Sequence, residues 1–362
     1  MIKVLYDHQK FSTQKYGGIS RYFANLIQAI KVSPDFECQL GVLFSNNHYL
    51  PHDDGVFALA KKLIKNPNHI YRINKAYDAH LLEKNNFDLF HPTYYDTYFL
   101  EKLKKPLVVT IHDMTYERLP EYFWAKDPLS HQKRLNIERA DKIIAISETT
   151  KRDILKYLNT DPNKIEVVYH GIDLEAPFIT RKIEHIPDDY ILFVGDRSGY
   201  KNFFLFVNAF KEISFKYPEL KVILTGGGNL DIAETEHLKR LGLTEKVTHT
   251  NVDDAELNFL YQQALVFVYP SLHEGFGLPI LEAFTAKCPI ILSDTECFRE
   301  IANEAAVYFE PQSIDSLVNI MERVITSTEL RKNLVEAGNI RLQDFPLHKS
   351  LTETFDIYRK LS

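Results

Sequence analysis

The sequence has only three cysteines, Cys38, Cys288 and Cys297. So sparse and odd a set argues against a disulfide framework and fits a reducing compartment. No CxxC pair or Cys/His cluster carries zinc-ligand spacing. No apolar run approaches the roughly 20 residues that span a bilayer. The opening MIKVLYD lacks a basic segment followed by a long apolar stretch, so no signal peptide is read. Low-complexity tracts and short-period repeats are also missing. No basic, aromatic-interleaved stretch marks a nucleic-acid module. With a net charge of −6, the global balance gives no hint of such a partner either. These absences point to a cytoplasmic protein, with peripheral contact at the inner face of the membrane left open.

What is present is the profile of a soluble globular chain: 362 residues, 45% hydrophobic and 25% charged. Short apolar, β-branched runs alternate with stretches of helical period. Strands are expected at 2–6, 39–43, 89–91, 107–111, 142–146 and 166–169. A second set is expected at 190–194, 221–225, 247–249, 266–269, 289–292 and 306–309. Most of these runs are continuous rather than alternating, as in parallel strands buried on both faces. Helical patterns between them include 20–30, 129–139, 148–157, 204–216, 256–263 and 316–325. Such alternation predicts an α/β protein built from βαβ units. Twelve strands in one sheet would be unusually wide, so two sheets of about six are expected.

The break falls in the stretch 173–189, which carries Pro177, Pro187 and a polar run. The domains are therefore drawn as 1–173 and 174–346, with a final helical segment, 347–362, crossing back onto the first. Ligands of open parallel sheets bind beyond the carboxyl ends of the strands. Two Rossmann-like domains facing an interdomain cleft are expected, with the chemistry in the loops that follow strands.

The most unusual such loop is PSLHEGFGLPILEAF, residues 270–284. Gly275 and Gly277 allow close backbone approach to a ligand, and Pro279 suits a helix start. The amides around Phe276, Gly277 and Leu278, helped by the helix dipole, form a ready anion site. Glu274 and Glu282 lie eight positions apart, one in the loop and one on the helix. A carboxylate that accepts two hydroxyl hydrogen bonds reads a ribose or a sugar well; Glu282 is assigned to the ribose and Glu274 to the donor sugar. On spacing alone, a plain strand–turn–helix corner with two solvated glutamates is an equal alternative.

This run resembles the E-x7-E signature of retaining glycosyltransferases, and its HEGFGLPILEA text is similar to that of glycosyltransferase family 4. The resemblance implies the GT-B fold and carries further roles. In FVGDRSGYKN, residues 193–202, it places Arg197 and Lys201 on the donor diphosphate, with Asp196 standing where the family commonly has arginine. Cations there would stabilise the leaving group's charge. Because no Asp-x-Asp triplet exists, no metal is expected and Arg/Lys take that work. In KYGGISR, residues 15–21, Gly17 and Gly18 border the donor phosphates and the acceptor, with Ser20 read near the helix cap. His112 is placed near the reacting sugar, and Asp113 orients it or helps position the acceptor. The backbone around Val252 meets the nucleotide base. The runs 145–148 and 170–173 and the glycine turn 225–229 fit less specifically; the turn lacks GxGxxG and a P-loop lysine.

The opening DHQKFSTQKYGGISRY is similar to bacterial polysaccharide and O-antigen mannosyltransferases. The expected partners are a nucleotide-sugar donor, with GDP-mannose ahead of UDP-sugars, and a glycan or lipid-linked glycan acceptor. No nucleic acid and no cofactor are expected. The same fold also hosts nucleotide-sugar 2-epimerases, which lack E-x7-E, and phosphorylases, for which no pyridoxal lysine is marked. A non-catalytic nucleotide-sugar-binding subunit is the remaining alternative. Retention would follow front-face attack by the acceptor hydroxyl, inside a cleft that closes on hinges near 173–189 and before 347. The aromatic segment 94–99 and the basic run 102–105 are read as core and solvated surface in preference to a membrane or acceptor contact.

Overall fold

The computed structural model describes residues 1–50 and 66–362. It divides into two compact units, Met1–Gly171 together with Leu347–Ser362, and Ile172–Pro346.

The first unit carries β1 (Ile2–Tyr6), β2 (Phe36–Leu40), β3 (Leu89–His91), β4 (Val108–Ile111), β5 (Lys142–Ala145) and β6 (Ile165–Val167). They form two three-stranded parallel ladders, β2-β1-β3 and β4-β5-β6, rather than one continuous sheet. A single parallel bridge, Phe90 to Leu107, links them. Pro106 precedes it and has no N–H to extend the pairing, though its carbonyl accepts from the Phe90 amide at 2.9 Å. Strand β2 forms three residues earlier than expected. Its register runs from Ile2↔Phe36 to Tyr6↔Leu40, so the partner strand sets its length. Phe36 is anchored by the ring of Phe355, 4.9 Å away. Phe355 lies on the last helix, Leu347–Arg359, which packs within this unit. From the same helix, the Tyr358 hydroxyl meets the Tyr6 hydroxyl at 2.9 Å and His91 Nδ1 at 2.6 Å, both in the core.

The aromatic segment 94–99 places Tyr95 and Phe99 in this core, and Lys102 of the basic run pairs with Glu83 at the surface. Helix Pro67–Lys84 buries Asn74 and Asp78 alongside Ile70, Leu81 and Leu82. Asp78 sits in a polar knot. Its Oδ2 accepts from Tyr98 at 2.5 Å, and the same hydroxyl lies 3.5 Å from Asp7 Oδ2. His8, Tyr71, Asp96 and Lys75 surround the knot. Burial, then the charge of Asp7, raises the Asp78 pKa to about 8; burial raises that of Asp7 to about 6. A carboxyl whose folded pKa is raised takes up a proton on folding. Its contribution is therefore present at low pH and is lost as pH rises from the ordinary carboxylate range through the folded value. Asp78→Asn should lower Tm at pH 5 but raise it, relative to the parent, at pH 8.5. An equal Tm difference at both pH values would refute the protonated-Asp78 assignment.

The second unit is one six-stranded parallel sheet in the order β12-β11-β10-β7-β8-β9. Its strands are β7 (Tyr190–Val194), β8 (Lys221–Thr225), β9 (Val247–His249), β10 (Val266–Tyr269), β11 (Ile290–Ser293) and β12 (Val307–Phe309). All of β10 and β11 is buried, which is why their sequences are unbroken apolar runs. One face is covered by helices Phe203–Lys216 and Ile314–Thr326, through Phe206, Val207, Phe210, Leu317 and Met321. From β7 the chain winds outward to β8 and β9, then returns to lay β10 on the other side. The β7/β10 pair is thus the point where the winding reverses, and open α/β sheets bind ligands beyond the carboxyl ends of such a pair. No described helix in either unit is long and apolar enough to cross a membrane.

Candidate active site

Beyond β7 the chain makes a short 3-10 turn, Gly199–Lys201. Beyond β10 it runs through Ser271 and Glu274 to Gly277, which caps helix Leu278–Thr285 with Pro279 in its first turn. The two loops are joined by their backbones, since the Leu272 amide donates to the Tyr200 carbonyl at 2.8 Å. They are also joined by charge: Lys201 Nζ meets Glu274 Oε1 at 2.6 Å, with both side chains largely buried. The Tyr269 ring lies 5.7 Å from Lys201 Nζ. Burial works against the Lys201 charge, but Glu274, with Tyr269 and Tyr200, outweighs it and holds the pKa well above the ordinary lysine value.

Gly277 has φ +92, a left-handed conformation, and a Cβ there would stand 3.1 Å from Ile280 and 3.3 Å from Phe298. Only glycine turns the chain into this helix without strain. Phe276 is buried against the ring of Phe345, which fixes the backbone of Gly275, Phe276 and Gly277. Glu282 stands on the same helix, and Tyr261 donates to its Oε2 at 3.4 Å. Val252, beyond β9, is half-buried just ahead of a capping box between Asp253 and Glu256.

Arg197 is placed differently from the expectation of a cation open to a diphosphate. It is turned inward and is 8% exposed. Its Nε bonds to Glu234 Oε1 at 2.8 Å. Its Nη1 donates to the Gly226 carbonyl at 2.9 Å, and Nη2 to the carbonyls of Gly228 and Asn229 at 2.8 and 3.1 Å. Arg197 therefore holds the glycine turn after β8. Its partner Glu234 was not singled out from the sequence. The signal was present, because D-I-A-E at 231–234 is a capping box in which Glu234 also accepts from the Asp231 amide.

In the first unit, His112 follows β4. Its amide donates to the Tyr95 hydroxyl at 3.0 Å. Its ring stacks on His170 at 6.1 Å and meets Tyr22 edge-on. His112 Nε2 is buried with no hydrogen-bond partner among the described residues. Burial, and then the neighbouring His170, hold its pKa well below the ordinary histidine value, so the ring is neutral. Asp113 turns its Oδ1 to the Thr115 amide at 2.9 Å, and its carbonyl accepts from Lys133 Nζ. Nearby, Lys10 lies over the Tyr94 ring, 3.3 Å from its centroid. Burial lowers the Lys10 pKa to about 8, opposed by the charge of Asp113.

Gly17 caps helix Gly18–Val32. Ser20 is not the cap that the sequence suggested: it is the third residue of the helix, and its hydroxyl donates back to the Gly17 carbonyl at 3.1 Å. The Gln14 amide folds over the first turn instead, accepting from the Ser20 amide and standing 2.7 Å from where a Cβ on Gly17 would be. Ser147, in the run 145–148, is a plain N-cap that accepts from the Thr150 amide.

Two family models match this chain. The Glycosyltransferase Family 4 model covers residues 16–176, and the model for group 1 glycosyl transferases covers residues 178–341. The chain is a glycosyltransferase, with a Family 4 match in its first half and a group 1 match in its second. Among curated relatives, the O-antigen chain mannosyltransferase RfbU of Salmonella typhimurium is 30% identical over 217 residues, which span 60% of this chain and 60% of that protein. The match thus covers less than two thirds of that relative. The O-antigen chain mannosyltransferase B of Escherichia coli is 26% identical over 295 residues, 75% of this chain and 74% of its own.

Solved structures supply the fold. Anabaena Alr3699/HepE, in complex with UDP and glucose, superposes with a TM-score of 0.73 at 16% identity, covering 100% of both chains. WaaG, a glycosyltransferase involved in lipopolysaccharide biosynthesis, gives 0.69 at 14% identity and 99% of both chains. The fold of this glycosyltransferase is therefore GT-B, with two α/β units whose strands run parallel within each sheet.

Proposed function

We propose that this glycosyltransferase is a retaining hexosyltransferase that moves mannose from GDP-mannose to a hydroxyl of a glycan, free or lipid-linked, in cell-surface polysaccharide synthesis. The observation that carries the reading is the Lys201–Glu274 pair beside the glycine-capped helix start, beyond the two strands where the sheet reverses. Lys201 and the amides at Gly277 and Leu278 receive the diphosphate, whose leaving charge they stabilise. Glu274 takes the donor sugar and Glu282 the ribose, while the backbone around Val252 takes the base. Arg197 acts through the glycine turn that it holds. No metal enters this scheme.

Gly17 and Gly18 serve the phosphates and the acceptor in this reading. His112, neutral, hydrogen-bonds a hydroxyl of the transferred sugar through Nε2, and Asp113 positions the acceptor. The acceptor oxygen forms its bond to the anomeric carbon from the face that the diphosphate leaves. The breaking bond gives its electron pair to the diphosphate, which takes the hydroxyl proton. Work at the inner face of the membrane is part of the proposal, as is the cytoplasmic location.

Mannose is favoured because the relatives named above are mannosyltransferases. UDP-sugars are the second reading, since the Anabaena Alr3699/HepE structure of the same fold is in complex with UDP and glucose. Thermal unfolding with GDP, UDP, GDP-mannose, UDP-glucose and UDP-N-acetylglucosamine separates them. A ligand at a hundred times its dissociation constant stabilises by about 2.7 kcal/mol. A shift with the GDP compounds alone is expected. A shift with the UDP compounds alone replaces the donor, and none with any nucleotide removes the donor site.

A further inference from the structure

We propose that Trp124 is the platform of an acceptor subsite for a neutral glycan. The proposal rests on the transferase reading above and names a residue through which the acceptor is held.

Trp124 is the sole tryptophan of the chain and is 71% exposed, in a loop where Tyr122 is also 42% exposed. The loop lies between helices Thr115–Arg118 and Leu129–Arg139, one short helix after His112 and Asp113. It is a built loop. The Tyr116 and Phe123 rings stack at 3.8 Å with 19° between their planes. The Tyr116 hydroxyl donates to Asp127 Oδ2 at 3.4 Å, and the Asp127 amide donates to the Trp124 carbonyl at 2.9 Å. Asp127 Oδ1 then accepts from the Leu129 amide at 2.9 Å.

The loop is also fastened to the His112–Asp113 corner. Lys133, 1% exposed, donates to the Asp113 carbonyl and to Glu117 Oε2, each at 2.9 Å, and lies 6.0 Å from the Tyr116 ring. A backbone tied by these contacts thus holds the largest apolar side chain in water, linked through Phe123, Tyr116 and Lys133 to Asp113, a residue assigned to the acceptor. Tryptophan placed this way is a recognition anchor, with a broad apolar face and one N–H donor.

The charges around it choose the partner. Between 115 and 128 stand Glu117, Arg118, Glu121, Lys126 and Asp127, two basic against three acidic residues. An anionic membrane surface calls for a cluster of basic residues, which this loop lacks. A neutral pyranose suits it, because the C–H face of the sugar ring packs on the indole while its hydroxyls reach mixed donors and acceptors.

A single tryptophan makes the test direct. The full chain is titrated with free glucose-, mannose-, galactose- and N-acetylhexosamine-based mono-, di- and trisaccharides while the indole emission is followed. A saturable change with at least one saccharide is expected. In transfer assays, Trp124→Ala should raise the acceptor KM on the order of tenfold, the size of one aromatic contact. Its kcat and its thermal shift with nucleotide should stay at the parent level, and Trp124→Phe should restore the KM. The subsite is overturned by a silent indole across the saccharides, or by a blue shift with phosphatidylglycerol vesicles in place of a saccharide response. Those outcomes leave the nucleotide thermal shift intact, so failure here is distinct from failure of the transferase reading.

Discussion

Glu274→Gln is expected to lower turnover by about 100-fold or more, the range seen when one preorganised electrostatic contact to a transition state is removed, while leaving nucleotide binding in place. Glutamine keeps the shape of the loop but not its charge. Lys201 then loses the counter-ion that now overrides its burial. Removing one partner of a buried pair costs about 3–5 kcal/mol in general, and the slight exposure of both side chains here puts the stability loss at the lower end. A diphosphate would fill the same role for Lys201 in the complex. GDP should therefore bind Glu274→Gln at least as tightly as the parent, and should recover more Tm in the variant than in the parent. Lys201→Ala should do the opposite, losing nucleotide binding together with turnover. Near-normal transfer by Glu274→Gln would remove the carboxylate from the reaction. Loss of GDP binding in the same variant would make it a structural residue of the loop.

The sequence made the second unit more legible than the first, and burial explains the difference. The strands 190–194 and 266–269 form at the expected residues because unbroken apolar runs leave one register available. The glycine–proline corner at 277–279 is local chemistry, so its helix start could be read without a partner in view. Helix Pro67–Lys84 carries a weak signature in the sequence, because Asn74 and Asp78 occupy its buried face and blunt the apolar period. Strand β2 slid by three residues because its ends are set by β1 and by Phe355, more than 300 positions away. The same limit governs the site. Short motifs point to Lys201 and Glu274, but their ion pair joins loops that only the sheet order brings together. The cover that Gln14 places over the Gly17 cap had no sequence signature at all.

Arg197 shows how far a motif can carry a residue before its neighbours decide the role. Gly226, Gly227 and Gly228 all have positive φ, at +85°, +68° and +74°. The carbonyls of Gly226, Gly228 and Asn229 converge on one guanidinium, which Glu234 pairs from the other side. The ion-pair side chains are 3% and 8% exposed. Arg197→Ala strands that carboxylate and those carbonyls together, and should cost about 3–5 kcal/mol. Lysine cannot span the same fork, so Arg197→Lys should recover only part of the loss. Glu234→Ala should also destabilise, and the double variant should lose less than the sum, since both changes break one network. The functional readout separates positioning from contact. A positioning arginine loses GDP affinity only as the glycine turn loosens, and Glu234→Ala reproduces that loss although a carboxylate is a poor partner for a diphosphate. The opposite pattern would return Arg197 to the phosphates: Arg197→Ala with the parent Tm and weakened GDP binding, and Glu234→Ala with neither defect.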